Sequence, residues 1–296
     1  MKDWLSAFRL RTLPLALASI GMGSFLAAAS GNFDGLTFAF CALTTIFLQV
    51  LSNLANDYGD SVHGADSVDR KGPSRAVQTG AISKLAMRNA IIVFAILSLA
   101  AGIALIEVAF GWGSKFSWIF LGIGALAILA AITYTAGYRP YGYAGLGDLS
   151  VLIFFGFVAV MGSAFLYEAE INLTYILPAI SVGFFSVAVL NVNNIRDIDS
   201  DQKAGKKSIP VRIGRDAAVK YHWFLLFVGM ALSVVYVLVN YSGALQLLFI
   251  LSAPLFLRNA LAVKSKTTSE ELDPFLKQMA LSTLLFVVLF GLGQVL

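Results

Sequence analysis

Charged side chains are scarce in this chain of 296 residues. Asp, Glu, Lys and Arg together make up 13% of it, about half the share that is usual in soluble globular domains. Hydrophobic residues make up 58%. This composition excludes an ordinary soluble domain and predicts a membrane protein.

Cysteine and histidine are nearly absent as well. The single cysteine, Cys41, lies in an apolar segment, so the chain cannot form an internal disulfide. The two histidines, His63 and His222, are far apart in the sequence. Because zinc sites in proteins are built from several Cys and His ligands, a zinc centre is disfavoured. Any metal site is expected to use oxygen ligands.

Long apolar segments fill most of the chain. A membrane about 30 Å thick needs about 20 apolar residues per helix, and about nine segments fit that length. They lack the alternation of apolar and polar residues that is typical of a barrel strand, so the fold is predicted to be an all-α, polytopic membrane helical bundle. The segments lie near 13–30, 36–56, 89–110, 116–136, 147–167, 174–194, 222–240, 243–262 and 275–295.

The basic residues are distributed unevenly between the two predicted membrane faces. If the N-terminus is cytoplasmic, all of the 21 lysines and arginines except Lys115 fall on the cytoplasmic side. Cytoplasmic loops characteristically carry the excess of Lys and Arg, so this bias supports both the orientation and an odd number of spans. The net charge of +4 therefore describes a membrane face, and we expect no nucleic-acid partner.

Two long polar loops, near 57–88 and 195–221, follow the second and sixth apolar segments, and a shorter one lies near 137–147. We predict that they cap one face of a single domain covering 1–296. The two long loops begin alike, with Asn and Asp spaced three and four residues apart, which places these side chains near one face of a helix. The matching pattern suggests an internal duplication and one shared site. The residues are Asn53, Asn56, Asp57 and Asp60 in the first, and Asn193, Asn194, Asp197 and Asp201 in the second.

Carboxylates at the end of a membrane helix are costly unless they face a cavity and bind a partner. Asp57, Asp60, Asp197 and Asp201 would repel one another without cations. Their oxygen ligands suit Mg²⁺ or Mn²⁺, and Mg²⁺ in proteins is commonly shared between carboxylates and a substrate phosphate. The two acidic clusters therefore predict a site for a diphosphate.

Basic residues near both clusters could bind the same diphosphate, because Arg and Lys are the usual partners of phosphate oxygens. An apolar bundle beneath the site indicates that the substrate is a diphosphate with a lipid chain. Departure of the diphosphate group would leave an allylic cation on that chain, next to aromatic side chains. Tyr134, Tyr138 and Tyr141 lie near the predicted mouth. The candidate basic residues are Arg70, Lys71, Arg75, Arg139, Arg196, Lys206 and Lys207.

Four stretches of the sequence carry a resemblance to a known family: "RLRTLPLALASIGMG", "NDYGDSVHGADSVDRKGPSRAVQTG", "YRPYGYAGLGDLSVLIFFG" and "NNIRDIDSDQKAGKKSIPVRIG". Together they resemble the UbiA superfamily of intramembrane prenyltransferases, in particular the branch that acts on 1,4-dihydroxy-2-naphthoate in menaquinone biosynthesis. One departure is Pro210, at a position expected to be aliphatic, which affects the expected conformation of that loop.

The resemblance implies nine helices around a central cavity in a bacterial inner membrane, with the N-terminus and the capping loops cytoplasmic. It implies Mg²⁺-dependent transfer of a polyprenyl group from polyprenyl diphosphate to 1,4-dihydroxy-2-naphthoate with loss of CO₂, giving demethylmenaquinone. The implied metal ligands are Asn56, Asp57, Asp60, Asp66, Asp197 and Asp201. Asp66 and Asp69 could instead form salt bridges within the cap.

The remaining implied roles concern catalysis and substrate binding. The implied catalytic residues are Asp57, Asp60, Asp197, Asp201 and Arg139. The implied diphosphate ligands are Lys71, Arg75, Arg139, Arg196, Lys206 and Lys207. The implied acceptor contacts are Arg9, Thr12, Asn53, Asn194 and Tyr138. Asp148, at the start of the fifth segment, either interacts with the helix dipole or orders Arg139.

Three alternatives stay open at this point. The same chemistry could use another aromatic acceptor, 4-hydroxybenzoate or homogentisate. A CDP-alcohol phosphotransferase also uses several Asp residues and Mg²⁺, but it packs them into one contiguous motif, whereas here they are in two distant ones. A cation transporter would also carry intramembrane carboxylates, but near the bilayer midplane on broken helices.

Overall fold

The computed structural model describes residues 1–63 and 75–296. The described chain is helical, and nine of its helical segments are long and apolar enough to cross a membrane, so the prediction of an all-α membrane bundle is confirmed. The helices are α1 (Lys2–Phe8), α2 (Leu13–Ala29), α3 (Gly35–His63), α4 (Lys84–Phe110), α5 (Lys115–Thr133), α6 (Gly147–Glu168), α7 (Leu173–Arg196), α8 (Ile198–Lys203), α9 (Ile209–Ile213), α10 (Arg215–Val239), α11 (Ala244–Ser265) and α12 (Ser269–Val295).

Local sequence explains where several helices begin. Ser83 and Ser114 cap α4 and α5, each by accepting a hydrogen bond from a backbone N–H in the first turn. Thr268 starts α12 with a capping box completed by Glu271. Pro210 lies in the first turn of α9, where the missing N–H of proline costs nothing. The departure seen in the sequence is therefore compatible with a helical turn at this point.

The two largest of the apolar clusters found in the described residues hold most of the bundle together. The larger joins α2, α6, α7, α10, α11 and α12 around the fully buried rings of Phe185, Phe249, Phe286 and Phe290. The smaller joins α1, α3 and α4 around Leu51, Leu54 and Met87. Outward-facing Leu, Ile, Val and Phe side chains are exposed along the spans, as expected for surfaces that contact lipid.

An interior space lies among α2, α3, α4, α5 and α6. In α6 the hydrogen bonding widens to a π-helical pattern over Leu152–Met161, and this stretch lines the interior space. π-Helical turns often occur at functional sites. The loop predicted over 195–221 contains α8 and α9, so this part of the cap has its own secondary structure.

The chain between α1 and α2 has an unusual backbone. Arg9 adopts a left-handed conformation with φ of 49°, which is uncommon and costs about 1 kcal/mol or more for a residue other than glycine. The Thr12 hydroxyl donates a hydrogen bond to the Arg9 carbonyl at 2.9 Å and stabilises this turn. The bend brings Arg9 and Thr12 to the wall of a cavity.

Candidate active site

The ends of α3 and α7 meet at a cavity of about 230 Å³, which we call the polar cavity. The two acidic motifs, although distant in the sequence, both contribute to its wall, as predicted. The cap residues from the segment after α5 close another side. Lining residues include Arg9, Thr12, Gln49, Asn56, Asp60, Arg75, Tyr134, Tyr143, Asp148, Asn193, Asn194, Asp197, Asp201 and Lys206.

Asp60 is the buried centre of the first motif, with 2% of its surface exposed. Its Oδ2 accepts a hydrogen bond from Nη2 of Arg75 at 2.9 Å. Its Oδ1 accepts one from the Tyr143 hydroxyl, also at 2.9 Å. Three charged or polar groups from separate parts of the chain thus hold this carboxylate at the cavity wall, since Lys206 contacts it as well.

Lys206 joins the two motifs. Its Nζ lies 3.1 Å from Asp60 Oδ1 and 3.6 Å from Asp201 Oδ1. The same ammonium group lies 4.9 Å from the centre of the Tyr143 ring, within the range of a cation–π interaction. Burial raises the pKa of Asp201 to about 6, although Lys206 opposes that shift. The two motifs thus approach one another through a lysine side chain, where the sequence predicts divalent ions.

Asp197 of the second motif is held by Arg196, which is itself bound by residues in the first turns of α12. Arg196 donates to both carboxylate oxygens of Asp197, at 2.8 and 2.7 Å. Its Nη1 donates to Asp273 Oδ1 at 2.6 Å, and Ser269 donates to the Arg196 carbonyl at 3.0 Å. Arg196 was predicted to bind the diphosphate. Its side chain is instead buried among these partners and does not line the polar cavity.

Asp57 also differs from its predicted placement. Its carboxylate, with 1% of its surface exposed, accepts hydrogen bonds from the backbone N–H groups of Ala76 and Val77, each at 3.3 Å. It does not line the polar cavity but a neighbouring one that it shares with Arg9 and Arg75. Asp57 therefore anchors the chain that follows the first motif, and its contacts do not favour the predicted metal-ligand role.

Three predicted residues point away from the site. Tyr138 is 91% exposed, and the guanidinium of Arg139 lies over its ring at 5.4 Å. Neither lines the polar cavity. The chain turns outward at Gly137, where φ is 105°. The Lys207 side chain is exposed too, and only its backbone N–H reaches inward, to the Tyr143 carbonyl at 3.0 Å.

The other predicted residues divide into those that line the polar cavity, one that lies beside it, and those outside the described part of the chain. Arg9, Thr12, Asn56, Arg75, Asn194, Asp201 and Lys206 line the polar cavity. Asn53 lies one turn away, and its side-chain amide donates to Thr12 Oγ1 and to the Phe8 carbonyl, both at 3.0 Å. It fixes the bend between α1 and α2. Asp66 and Lys71, with Asp69 and Arg70, lie outside the described residues.

The sequence did not single out Tyr143, Gln49 or Asp273. Tyr143 had a weak signal, because it belongs to the glycine-rich stretch "YGYAGLGD" that leads into α6. Gln49 is a polar residue within an otherwise apolar segment, and it donates a hydrogen bond to Thr12 Oγ1 at 3.0 Å. Nothing in the sequence pointed to a role for Asp273, since acidic residues are common in the first turns of a helix.

Below the polar cavity lies an apolar channel of about 370 Å³, bounded by α2, α3, α4, α5 and α6. The two spaces are adjacent, since six residues line both of them. The shared lining residues are Gln49, Asn56, Tyr134, Val151, Phe155 and Leu190. The arrangement can accept a molecule with a polar head and a long apolar tail.

The side-chain oxygens that line the polar cavity fit a hard divalent cation. Carboxylate oxygens of Asp60, Asp197 and Asp201 and the amide oxygen of Asn56 line it, and oxygen ligands are those that Mg²⁺ prefers. Within the described residues, no three acidic, histidine or cysteine side chains form a ready-made metal cage. The carboxylates instead form ion pairs with arginine and lysine side chains.

Comparison with known proteins gives a consistent result. The model of the UbiA prenyltransferase family matches residues 16–287. A 1,4-dihydroxy-2-naphthoate octaprenyltransferase from Haemophilus influenzae is 45% identical, covering 99% of this chain and 96% of that protein. The protein with the same name from Escherichia coli is 43% identical, covering 98% and 94%.

Solved structures agree in fold. A UbiA homologue from Aeropyrum pernix superposes with a TM-score of 0.70 at 18% identity, covering 97% of each chain. One from Archaeoglobus fulgidus, solved with GPP and Mg²⁺ bound, superposes with a TM-score of 0.62 at 19% identity, covering 98% of this chain and 99% of that one.

Proposed function

Because this chain belongs to the UbiA prenyltransferase family and is a membrane-embedded prenyltransferase, we propose that it transfers a polyprenyl group to 1,4-dihydroxy-2-naphthoate. The donor is an allylic polyprenyl diphosphate, the reaction depends on Mg²⁺, and the acceptor carboxylate leaves as CO₂. The product is a demethylmenaquinone in its reduced form. The names of the relatives from Haemophilus influenzae and Escherichia coli support the choice of acceptor.

One observation carries the proposal. A cavity walled by two acidic motifs and several basic side chains lies directly beside an apolar channel and shares part of its wall. The diphosphate would occupy the first space and the isoprenoid chain the second. The carbon that reacts would then lie at their junction, next to Tyr134, Val151 and Phe155. A cation transporter needs no such channel.

The donor's diphosphate would bind among charges of both signs. Asp60, Asp197 and Asp201, with Asn56, would hold Mg²⁺, since their oxygen atoms line the polar cavity. The Archaeoglobus fulgidus homologue, solved with Mg²⁺ bound, supports the use of a divalent ion. When bound, Mg²⁺ stabilises the negative charge that develops on the departing diphosphate. Lys206 and Arg75, which already contact Asp60, lie where they could bind phosphate oxygens directly.

The acceptor would bind beside the bend between α1 and α2. Arg9 and Thr12 line the polar cavity there, and Gln49 and Asn53 both donate to Thr12 Oγ1 at 3.0 Å. The carboxylate of the acceptor would bind the guanidinium of Arg9. A charged, hydrogen-bonded wall of this kind suits a hydroxylated aromatic acid and holds its ring near the channel.

The polar cavity would face the cytoplasm. All lysines and arginines except Lys115 lie on the predicted cytoplasmic side, which is typical of membrane proteins. In a bacterium the protein would then lie in the inner membrane, and both substrate headgroups would enter from the cytoplasm. Cysteine labelling of the exposed residue at position 139, in an Arg139→Cys, Cys41→Ser variant, tests the orientation: labelling of inverted vesicles but not of whole cells is expected.

A competition assay tests the function. Purified protein in detergent receives octaprenyl diphosphate, Mg²⁺ and equal amounts of 1,4-dihydroxy-2-naphthoate, 4-hydroxybenzoate and homogentisate. We expect the prenylated naphthalene to form in at least tenfold excess, with release of one CO₂ per diphosphate, and EDTA to stop both. Preferential prenylation of either benzenoid acceptor, or a naphthoate product that retains its carboxylate, would contradict the proposal.

A further inference from the structure

Asp148 lies in the first turn of α6 and lines the polar cavity. Its side chain is partly buried, and its Oδ2 accepts a hydrogen bond from the Tyr221 hydroxyl of α10 at 3.1 Å. The sequence suggested that it interacts with the helix dipole or orders Arg139. Arg139 points outward, so the second of those expectations is not supported.

Asp148 differs from the other cavity carboxylates in its partners. Asp60, Asp197 and Asp201 each form an ion pair with an arginine or lysine side chain. No described residue forms an ion pair with Asp148, whose side-chain partner is a neutral tyrosine hydroxyl. A carboxylate that is paired with a cation and binds near the diphosphate is a poor proton acceptor, because the cation stabilises its negative charge. Asp148 is not paired with a cation in this way.

The position of Asp148 matches the place where the acceptor must react. Val151, one helical turn further along α6, lines both the polar cavity and the apolar channel, as does Tyr134. A Cβ added at Gly147 would touch the Tyr134 hydroxyl, so that hydroxyl lies close to the start of α6. Burial, and then Asp148, raise the pKa of Tyr134, which keeps its hydroxyl protonated.

We propose that Asp148 is the general base that removes the proton from the hydroxyl group adjacent to the reacting ring carbon. This inference rests on the proposed function. It assigns a proton-transfer role to a carboxylate separate from the two acidic motifs. Tyr221 is the positioning residue, since its hydrogen bond fixes the Asp148 carboxylate.

The ring carbon that carries the carboxylate forms a bond to the allylic carbon while the allylic C–O bond breaks and diphosphate leaves with that electron pair. The hydroxyl proton passes to Asp148, and the ring becomes a ketone with a carboxylate on the neighbouring carbon. The C–CO₂ bond then breaks, its electron pair restores the aromatic ring as a naphtholate, and Asp148 returns the proton to that oxygen. No oxidant or reductant is required.

Asp148→Asn tests the inference, because it keeps the shape of the side chain and removes the base. We expect kcat with 1,4-dihydroxy-2-naphthoate to fall by about 10²- to 10⁴-fold, the range typical of general acid–base catalysis, with little change in KM for the donor. Asp148→Glu should recover part of the activity. Tyr221→Phe should lower kcat by about tenfold, through loss of one hydrogen bond to a charged group.

A second readout separates proton transfer from a purely structural role. A ring-fluorinated 1,4-dihydroxy-2-naphthoate has a more acidic hydroxyl group, so the Asp148→Asn defect should be several-fold smaller with it. The variant should also keep the unfolding temperature of the wild-type protein. A defect of equal size with both acceptors, or a kcat within threefold of wild type, would overturn the inference alone. Failure of the wild-type protein to prenylate the naphthoate would overturn the proposed function.

Discussion

The two acidic motifs look alike in sequence but are held in place in different ways. In the first motif, at the end of α3, Asp57 binds backbone N–H groups of the chain that follows and Asp60 projects into the polar cavity. In the second, Asp197 lies at the break between α7 and α8 and is gripped by Arg196. Arg196 in turn binds Asp273 of α12. Asp57 is thus held by the chain that follows it, whereas Asp197 is held through a helix that is distant in the sequence.

The difference has a geometric origin. Both acidic residues of the first motif lie within one continuous helix, where a spacing of three residues points them in directions about 60° apart. One carboxylate therefore faces the cavity and the other faces the neighbouring loop. In the second motif the helix is interrupted at Asp197, so helical spacing does not decide the directions. Asp60 and Asp201 are the pair that meet, through Lys206.

The largest expected effect separates Asp60 from Asp57. Asp60→Ala removes the carboxylate that faces both Lys206 and Arg75, and we expect diphosphate release to fall by about 10³-fold or more, since metal-ion stabilisation is worth several kcal/mol. Asp57→Asn keeps an oxygen acceptor for the backbone N–H groups and should retain activity within about tenfold. Diphosphate release at saturating Mg²⁺ measures both.

Binding of Mn²⁺, followed by electron paramagnetic resonance in the presence of a non-hydrolysable donor analogue, is the control for this pair. Asp60→Ala should lose that binding and Asp57→Asn should keep it. Equal loss of Mn²⁺ binding in both variants would mean that Asp57 and Asp60 both contribute to the metal site. Asp57 would then bind metal in addition to anchoring the loop.

Lys206→Met is expected to have the next largest effect, because Lys206 contacts both motifs. Methionine has a similar length and carries no charge. Loss of a charged contact to the diphosphate should lower kcat/KM for the donor by about 10- to 100-fold. The adjacent Lys207 offers a matched control, since its side chain is exposed, and Lys207→Met should stay within about twofold of wild type. Similar losses in the two variants would contradict this placement.

The sequence predicted the membrane bundle well because hydropathy reports burial in lipid directly. It placed the end of the second span near 56, whereas α3 continues to His63. The last turns carry Asn56, Asp57 and Asp60, which face protein instead of lipid, so the apolar signal ends before the helix does. The start of α10, at Arg215 instead of 222, differs for a similar reason.

The candidate site was predictable only in part. Spacing placed Asp60 in the site because three- and four-residue repeats report a face of the continuous helix α3. Spacing does not explain the placement of Asp201, since the helix is interrupted at Asp197. The direction of Arg139 depends on the turn at Gly137, which no periodic pattern describes. The contact between Arg196 and Asp273 joins two helices that are far apart in the sequence. Only the packing of α7 against α12 reveals it.

Asp273→Asn tests whether α12 supports the second motif. Asn keeps the size of the side chain but removes the charge that binds Arg196 at 2.6 Å. The Asp273 side chain is 30% exposed, so solvent weakens the pair. We expect kcat to fall about fivefold, with a higher Mg²⁺ concentration needed for half-maximal rate. An unchanged Mg²⁺ dependence would show that Arg196 holds Asp197 without help from α12.

The smallest expected effect comes from another ion pair at the same end of α12. Lys266 Nζ lies 2.9 Å from Glu271 Oε1, and both side chains are more than 40% exposed. Exposed pairs contribute little because water screens their charges. Neither residue contacts Arg196. Lys266→Ala should therefore leave kcat and the Mg²⁺ concentration for half-maximal rate within about twofold of wild type. The unfolding temperature should equal that of wild type within error. If Lys266→Ala matched Asp273→Asn, the effect of Asp273 would reflect the general stability of the helix end, and the support that we assign to α12 would not be specific to the second motif.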